Sequence, residues 1–315
     1  MTKAISKEAL RKKLKPVCPS CTESTITVYA HNILRLYRLV KPGTEGVPAT
    51  GGWLKDKSLY KKFDSQKLSA RRVLSVAAVK ANVMYKNEKN EDWTIRMNRT
   101  VEEYEKQRDK RIKTPREQER WPTKGYDALK TAAEKLKKEF KTQIANTKTT
   151  SDLYKVQQYI ILKLYSEHAL RLDWADVKLK KPEKDQKWNY LFKDKRKGWT
   201  LVVRKFKTEK FMGEQTIKVA RPAALALTMF VPKVEKLTNH GFLLSTKGGK
   251  KLSRQGLSIL LSRTTEKYMG KRISSQIIRV LKATKFRAQT EKAAEIAKEM
   301  MHSEKQHMQY TKKKD

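Results

Sequence analysis

Cysteine is nearly missing from this sequence: Cys18 and Cys21 are the only two in 315 residues. A disulfide-built scaffold is excluded, and so sparse a thiol content suits a reducing compartment. The two form one C-x-x-C, but no second cysteine pair follows to complete a four-ligand zinc site. They are expected to be two ordinary thiols near a helix start, and the sequence does not say whether they bind anything. Long apolar runs are also lacking. No stretch of 18 or more apolar residues occurs, so no transmembrane helix is expected. The first fifteen residues, MTKAISKEALRKKLK, have no apolar signal core. Asn98-Arg99-Thr100 matches a glycosylation acceptor, which has no meaning without secretion.

Negative charge is the third shortage. Asp and Glu number 33 against 73 Lys and Arg, a net charge of +40. Charge does not specify a fold, but it does argue about partners. A polyanion is implied, nucleic acid first. The excess runs along the whole chain instead of gathering in one tail. Six Trp, twelve Tyr and eight Phe exclude a fully disordered chain, and 38% hydrophobic residues suffice for real cores.

Residues 1–21 read as a basic N-terminal arm, mobile over 1–17, and 22–147 as a helical domain. Thr22 or Ser24 can cap a helix reaching about Leu39, with Ile26, Tyr29, Ile33 and Leu36 at helical spacing. KPGTEGVPATGG (41–52) is a loop by its Pro and Gly content. Further helices are expected near 65–84, 99–111 and 125–147, giving a basic and weakly cored half. ANTKTTS (145–151) reads as a linker, and 148–315 as a second domain. Its first helix carries Leu153, Val156, Ile160, Ile161 and Leu164 on one face. Strands are expected at 177–179, 199–206 and 214–219, a small three-stranded antiparallel sheet. Helices follow after Pro222, at 253–268 with Gly270 as terminator, at 273–286 and at 289–301. The fold class is α+β, mostly α.

Five polar landmarks punctuate the second domain. Arg171 stands in HALRLDWADV, Lys207 in RKFKTEKFMGEQ and Arg279 in ISSQIIRVLKAT; His302 and Tyr310 stand in HSEKQHMQY. Over about 150–312 this order resembles the tyrosine recombinase family, also called phage integrases. That family has an Arg before the first strand, a Lys in a β-hairpin and a His-x-x-Arg box. A His at a helix start follows, with a Tyr eight or nine residues later. LRLDWADV, FKTEKFMGEQTI and HS-x4-MQY look most like integrases of virophages, large DNA viruses and related mobile elements. The helical N-terminal half is similar to the family's core-binding domain. One departure is visible: Gln276 stands where the box usually begins with His, and Val280 where bacterial members often carry a second His.

The resemblance implies a site-specific recombinase or integrase acting on double-stranded DNA through a 3′-phosphotyrosyl intermediate. Tyr310 would be the nucleophile. Arg171, Arg279 and His302 would hold the phosphate, the arginines by two-pronged forks that lysine cannot reproduce. Lys207 would protonate the departing 5′ oxygen, and Gln276 would support the phosphate as a hydrogen-bond donor without shuttling protons. The linkage conserves bond energy, so no cofactor, ATP or metal is implied, nor a small-molecule substrate or membrane. The two domains would clamp the duplex, and two duplexes would require a homo-tetramer with exchanged C-terminal segments. The tail after Tyr310 would then lack a seat on its own chain. The location implied is intracellular, with the DNA: a host nucleus, or a viral factory if the source is viral.

Each landmark also has an ordinary reading. Arg171 can be a helix-end cation, Arg279 a snorkelling surface residue, and Lys205 or Lys210 can take the place of Lys207. His302 and Tyr310 can be structural, and the spacing of His307 suits a helix surface. Two further functions stay open: a catalytically impaired or non-enzymatic DNA-binding protein of the same fold, and a type IB topoisomerase.

Overall fold

The computed structural model describes residues 4–86, 91–184, 188–287, 290–301 and 303–312. They form two units, one ending at Lys110 and one beginning at Arg111.

In the first unit, β1 (Ile5–Ser6) leads into α1 (Lys7–Leu14), whose first turn is capped by Ser6 accepting from the Ala9 N–H. Leu10 and Leu14 are wholly buried. The expected mobile arm is therefore, from residue 4 on, part of the fold, because these leucines recur at helical spacing and find a core. Thr22, not Ser24, caps α2 (Glu23–Arg38), accepting from the Thr25 N–H. β2 (Gly46–Val47) pairs antiparallel with β1. A Cβ at Gly46 would lie 2.7 Å from the Ile5 carbonyl oxygen, so only glycine lets the strands meet. Then come α3 (Lys57–Asp64), α4 (Leu68–Met84) and α5 (Asp92–Asp109). α5 starts earlier than its charge pattern suggests. Trp93 on its first turn is fully buried, donates to the Leu54 carbonyl at 2.8 Å, and meets Tyr60 and Phe63 edge-on. The unit thus has a real core. Cys18 and Cys21 are joined in a disulfide, not left as two thiols.

The second unit opens with α6 (Pro115–Arg120), started by a capping box of Thr114 and Glu117 with Pro115 in its first turn. α7 (Asp127–Ala145) packs on α8 (Thr150–Glu167). Phe140 stacks on Tyr159 at 4.3 Å, and the Tyr126 hydroxyl reaches the Tyr165 and Ser166 carbonyls at 2.9 Å. This moves the boundary from the expected 147/148 to 110/111: the apolar stripe of α7 has its partner in the second unit. Nor is 145–151 a linker. Thr149 and Asp152 make a capping box for α8, and Lys233 binds the Ala145 and Thr147 carbonyls. Thr149→Ala is expected to cost about 1 kcal/mol in urea unfolding, whereas substitution within a free linker would leave stability unchanged.

β3 (Val177–Lys178), β4 (Asn189–Asp194), β5 (Gly198–Val203) and β6 (Gln215–Lys218) form one sheet in that order. α9 (Glu209–Met212) lies between β5 and β6. The sheet departs from the expected three strands. β4 is added inside a Lys- and Asp-rich stretch, and β3 pairs parallel with it; β4, β5 and β6 make the antiparallel set. α10 (Arg221–Leu237), α11 (Arg254–Met269), α12 (Ser275–Lys285), α13 (Thr290–Glu299) and α14 (Glu304–Tyr310) follow. α11 starts at Ser253 and ends at a left-handed Gly270, as its sequence predicts. α8 is buried nearly all round because α7, α10 and α11 all pack on it. Among the described residues, no helix is long and apolar enough to cross a membrane.

Candidate active site

Where α8 ends, the chain turns through His168 to Arg171 and enters the short 3-10 turn Asp173–Asp176. The buried Tyr165 hydroxyl donates to the Arg171 carbonyl at 2.6 Å, fixing the backbone that carries this arginine. The Arg171 Nη1 is buried and has no hydrogen-bond partner among the described residues. A buried guanidinium N–H without an acceptor is costly, and a bound anion would satisfy it.

α12 supplies the second arginine. Ser274 caps its first turn, and Arg279 on its buried face is fully enclosed. Its Nη2 donates to the Met300 carbonyl at 2.7 Å, and its guanidinium lies over the Tyr310 ring, 5.3 Å from the centroid. Burial pushes Arg279 down to about 10, and the charge of nearby Arg171 pushes the same way; Tyr310 and Asp173 partly offset this. The guanidinium stays cationic at neutral pH. Tyr310 ends α14, is 8% exposed, and donates from its hydroxyl to Gln276 Oε1 at 3.3 Å. The structure thus gathers Gln276, Arg279 and Tyr310, with the charge of Arg171 acting on the group. Arg279 is not the snorkelling surface residue of its ordinary reading.

Just beyond Tyr310 the chain keeps to its own unit. The Lys312 N–H donates to Thr284 Oγ1 at 3.0 Å, Arg287 donates to the Lys312 carbonyl, and the Lys312 ammonium reaches Glu117 at 3.2 Å. Thr311 and Lys312 are buried, which differs from the expectation of a tail without a seat on its own chain. The physical reason is local: α12 and α6 offer this segment both a hydroxyl acceptor and a carboxylate.

Lys207 lies exposed in the long β5–β6 connection. Its neighbour Thr208 donates to the Met301 carbonyl at 3.1 Å, tying that connection to the end of α13. Lys205 and Lys210 are exposed there too; the Lys205 ammonium lies 4.4 Å from the Trp188 ring centroid. His302 lies outside the described residues. His307 does not sit on a helix surface: it is 3% exposed.

Several neighbours escape a reading of the sequence. Asp173 is fully buried, accepts from Arg254 at 3.0 Å, and lies in the field of both Arg171 and Arg279. Burial raises its carboxyl despite those cations. Asn189 uses its whole amide: Nδ2 donates to the Asp173 and Lys205 carbonyls, and Oδ1 accepts from the Arg204 and Lys205 N–H groups. It pins the Arg171 turn to the connection that carries Lys207. His168 accepts the Ala220 N–H at Nε2, so its Nδ1 carries the proton directed at Glu299, 3.2 Å away. Lys282 donates to both Glu299 oxygens at 2.8 Å and to the Glu167 carbonyl at 2.7 Å. Burial alone would raise Glu299, but the His168 hydrogen bond and the Lys282 charge hold it below its usual value. None of these residues has a local sequence signal. Their partners lie tens to more than a hundred residues away.

Acid should loosen this unit. Burial holds His307 below 6.5, so the unfolded chain takes up that proton first. The stability from a neutral His307 is complete above pH 6.5 and falls as pH drops below it, by up to about 1.4 kcal/mol per pH unit. His240, lowered by burial and by Lys251, acts with the same sign. His307→Gln is expected to flatten part of the melting-temperature profile below pH 6.5; an unchanged slope would assign the acid sensitivity elsewhere.

No protein-family model matches the sequence, and no curated protein matches it. Among solved structures the chain is similar to a lambda integrase dimer bound to a COC′ core site, at 12% identity over 98% of this chain and 77% of that one, with a TM-score of 0.51. It is also similar to XerA recombinase, at 12% identity over 98% and 95% of the two chains, with a TM-score of 0.43. The fold is that of the tyrosine recombinases, α+β and mostly α. The integrase likeness defines it, over nearly the whole chain.

Proposed function

We propose that this chain cuts and rejoins duplex DNA as a tyrosine recombinase. The Tyr310 oxygen attacks a phosphodiester, forming a P–O bond to tyrosine and breaking the bond to the 5′ oxygen. The 3′ phosphate stays on the enzyme, and the 5′ oxygen takes its proton from Lys207. Arg171, Arg279 and His302 meet the charge that develops on the non-bridging oxygens, and Gln276 assists. The reverse attack by a 5′ hydroxyl reseals the strand. A homo-tetramer acting on DNA inside the cell is part of this reading, as is phosphate contact by both units, with affinity that falls steeply with salt.

The observation that supports it is the convergence of a hydroxyl and a buried cation. Tyr310 lies against Gln276 and under Arg279, while Arg171 presses its charge on the same site. A buried arginine repelled by a second arginine is costly for a purely structural purpose, and an oxyanion between them would relieve both.

The test is a suicide duplex nicked beside the cleavage site, so that the 5′ product diffuses away and the enzyme stays attached. A denaturation-resistant protein–DNA adduct is expected, with its 3′ phosphate mapped to the peptide containing Tyr310. Binding without an adduct would leave a non-enzymatic DNA-binding protein. Relaxation of supercoiled plasmid by monomers would favour the topoisomerase.

A further inference from the structure

Glu299, His168 and Lys282 converge in the second unit, each close in the chain to a group of the candidate site. Glu299, the last residue of α13, accepts from the Lys282 ammonium on both carboxylate oxygens at 2.8 Å and faces His168 Nδ1 at 3.2 Å. Lys282 also donates to the Glu167 carbonyl at 2.7 Å, and His168 Nε2 accepts the Ala220 N–H at 3.0 Å. His168 and Lys282 are buried, and Glu299 is partly buried. Four places in the fold are joined here: the end of α8, the middle of α12, the end of α13 and the turn between β6 and α10.

His168 stands three residues before Arg171, and Lys282 stands three after Arg279 on the same helix. Glu299 directly precedes Met300, whose carbonyl accepts from Arg279 Nη2 at 2.7 Å. The carboxylate therefore bridges the stretch that carries one arginine and the helix that carries the other. A lysine ammonium has three N–H donors, and the Glu167 carbonyl and the two Glu299 oxygens use all three. None is left to meet a phosphate, so Lys282 can act only indirectly. An ion pair taken out of water stabilises a fold weakly, because desolvation offsets most of the attraction. Apolar packing would hold α8, α12 and α13 together as well. What the ions add is direction: charged hydrogen bonds fix angles and distances that apolar contacts leave loose.

We propose that Glu299, held by Lys282 and His168, is a positioning residue that sets the separation of Arg171 and Arg279, and with it the fit of their guanidinium groups to the phosphate in the transition state. The proposal rests on the recombinase reading. The charge of Arg171 opposes that of Arg279, so the segments that carry the two need a tie to keep them close. Glu299 supplies it from the side of both. Displacement of a phosphate-holding group by about 1 Å is enough to cost about 100-fold in rate, even when the altered residue lies away from the chemistry. Glu299 acts through the arginines and takes no part in bond breaking.

The experiment is a double-mutant cycle on the whole chain, read as the first-order rate of adduct formation on the nicked duplex with protein in excess. Glu299→Gln keeps the shape of the side chain but turns its amide N–H groups toward Lys282, donor against donor. It is expected to slow trapping by about 10- to 100-fold, while duplex binding by fluorescence anisotropy stays within about twofold of wild type. Lys282→Met, which breaks the tie from α12, should slow trapping in the same way. The deciding arm adds Glu299→Gln to Arg171→Lys. A residue that acts through the spacing of the arginines has little left to disturb once the fork of Arg171 is gone, so the further loss should be no more than about threefold. Losses that multiply, including a double variant with no detectable adduct, would overturn the proposal, as would wild-type trapping by either single variant. Protein in excess keeps the rate constant independent of an unfolded fraction, so a variant that folds poorly still reads out. A wild-type chain that traps DNA while the losses multiply fails only the positioning role. A wild-type chain that forms no adduct fails the recombinase reading together with it.

Discussion

Tyr310→Phe is expected to abolish the covalent DNA adduct, a fall of at least about 10,000-fold in the rate of trapping on a nicked duplex. Phenylalanine keeps the ring that lies under Arg279, so the packing of α14 survives. What is lost is the hydroxyl and its hydrogen bond to Gln276, a stability cost of about 1 kcal/mol. Duplex binding should remain, because phosphate contacts by basic side chains do not depend on that oxygen. The pattern sought is therefore selective: melting lowered by only a few degrees, normal binding, no adduct on a denaturing gel. An adduct that persists in the phenylalanine variant would place the nucleophile elsewhere and sink the assignment.

Arg279→Lys should be the second most damaging change, slowing adduct formation by about 100- to 1000-fold. The charge is retained, but the planar fork is not. An ammonium cannot serve the Met300 carbonyl and a phosphate oxygen in the geometry that Arg279 Nη2 holds at 2.7 Å. The site is fully enclosed, so water cannot replace the missing N–H groups. A loss of about 1–3 kcal/mol of stability is expected beside the kinetic effect, because the Met300 carbonyl is left without its donor. Circular dichroism and urea unfolding separate the two: a folded protein with slow trapping supports a phosphate-holding role. Wild-type trapping by the lysine variant would reduce Arg279 to a structural post for α13 and α14.

Part of the candidate site is legible in the sequence. Arg171, Arg279 and Tyr310 stand out by order and spacing, and the structure brings Tyr310 against both Gln276 and Arg279. Lys207 is exposed on its connection, as Lys205 and Lys210 are, and Lys205 has the Trp188 ring beside it. Asp173, Asn189, Glu299 and Lys282 were invisible, since an acid, an amide or a lysine inside a charged segment has no distinguishing pattern. Buried His307 was misread for a related reason. Seven-residue α14 is too short to show which face is apolar.

By itself the sequence determined where most of the longer helices lie and several of their caps, and it argues for a polyanionic partner. Thr22, Ser253 and Gly270 act on backbone groups within one turn, so their effect can be read locally. A charge of +40 acts at long range whatever the fold. Tertiary structure alone decided that α7 belongs with α8, that β4 joins the sheet, that His168 and Lys282 meet on Glu299, and that Arg279 is enclosed. Each of these depends on which distant surface a side chain meets, and that choice is made by burial and packing of the whole unit, not by the residues on either side.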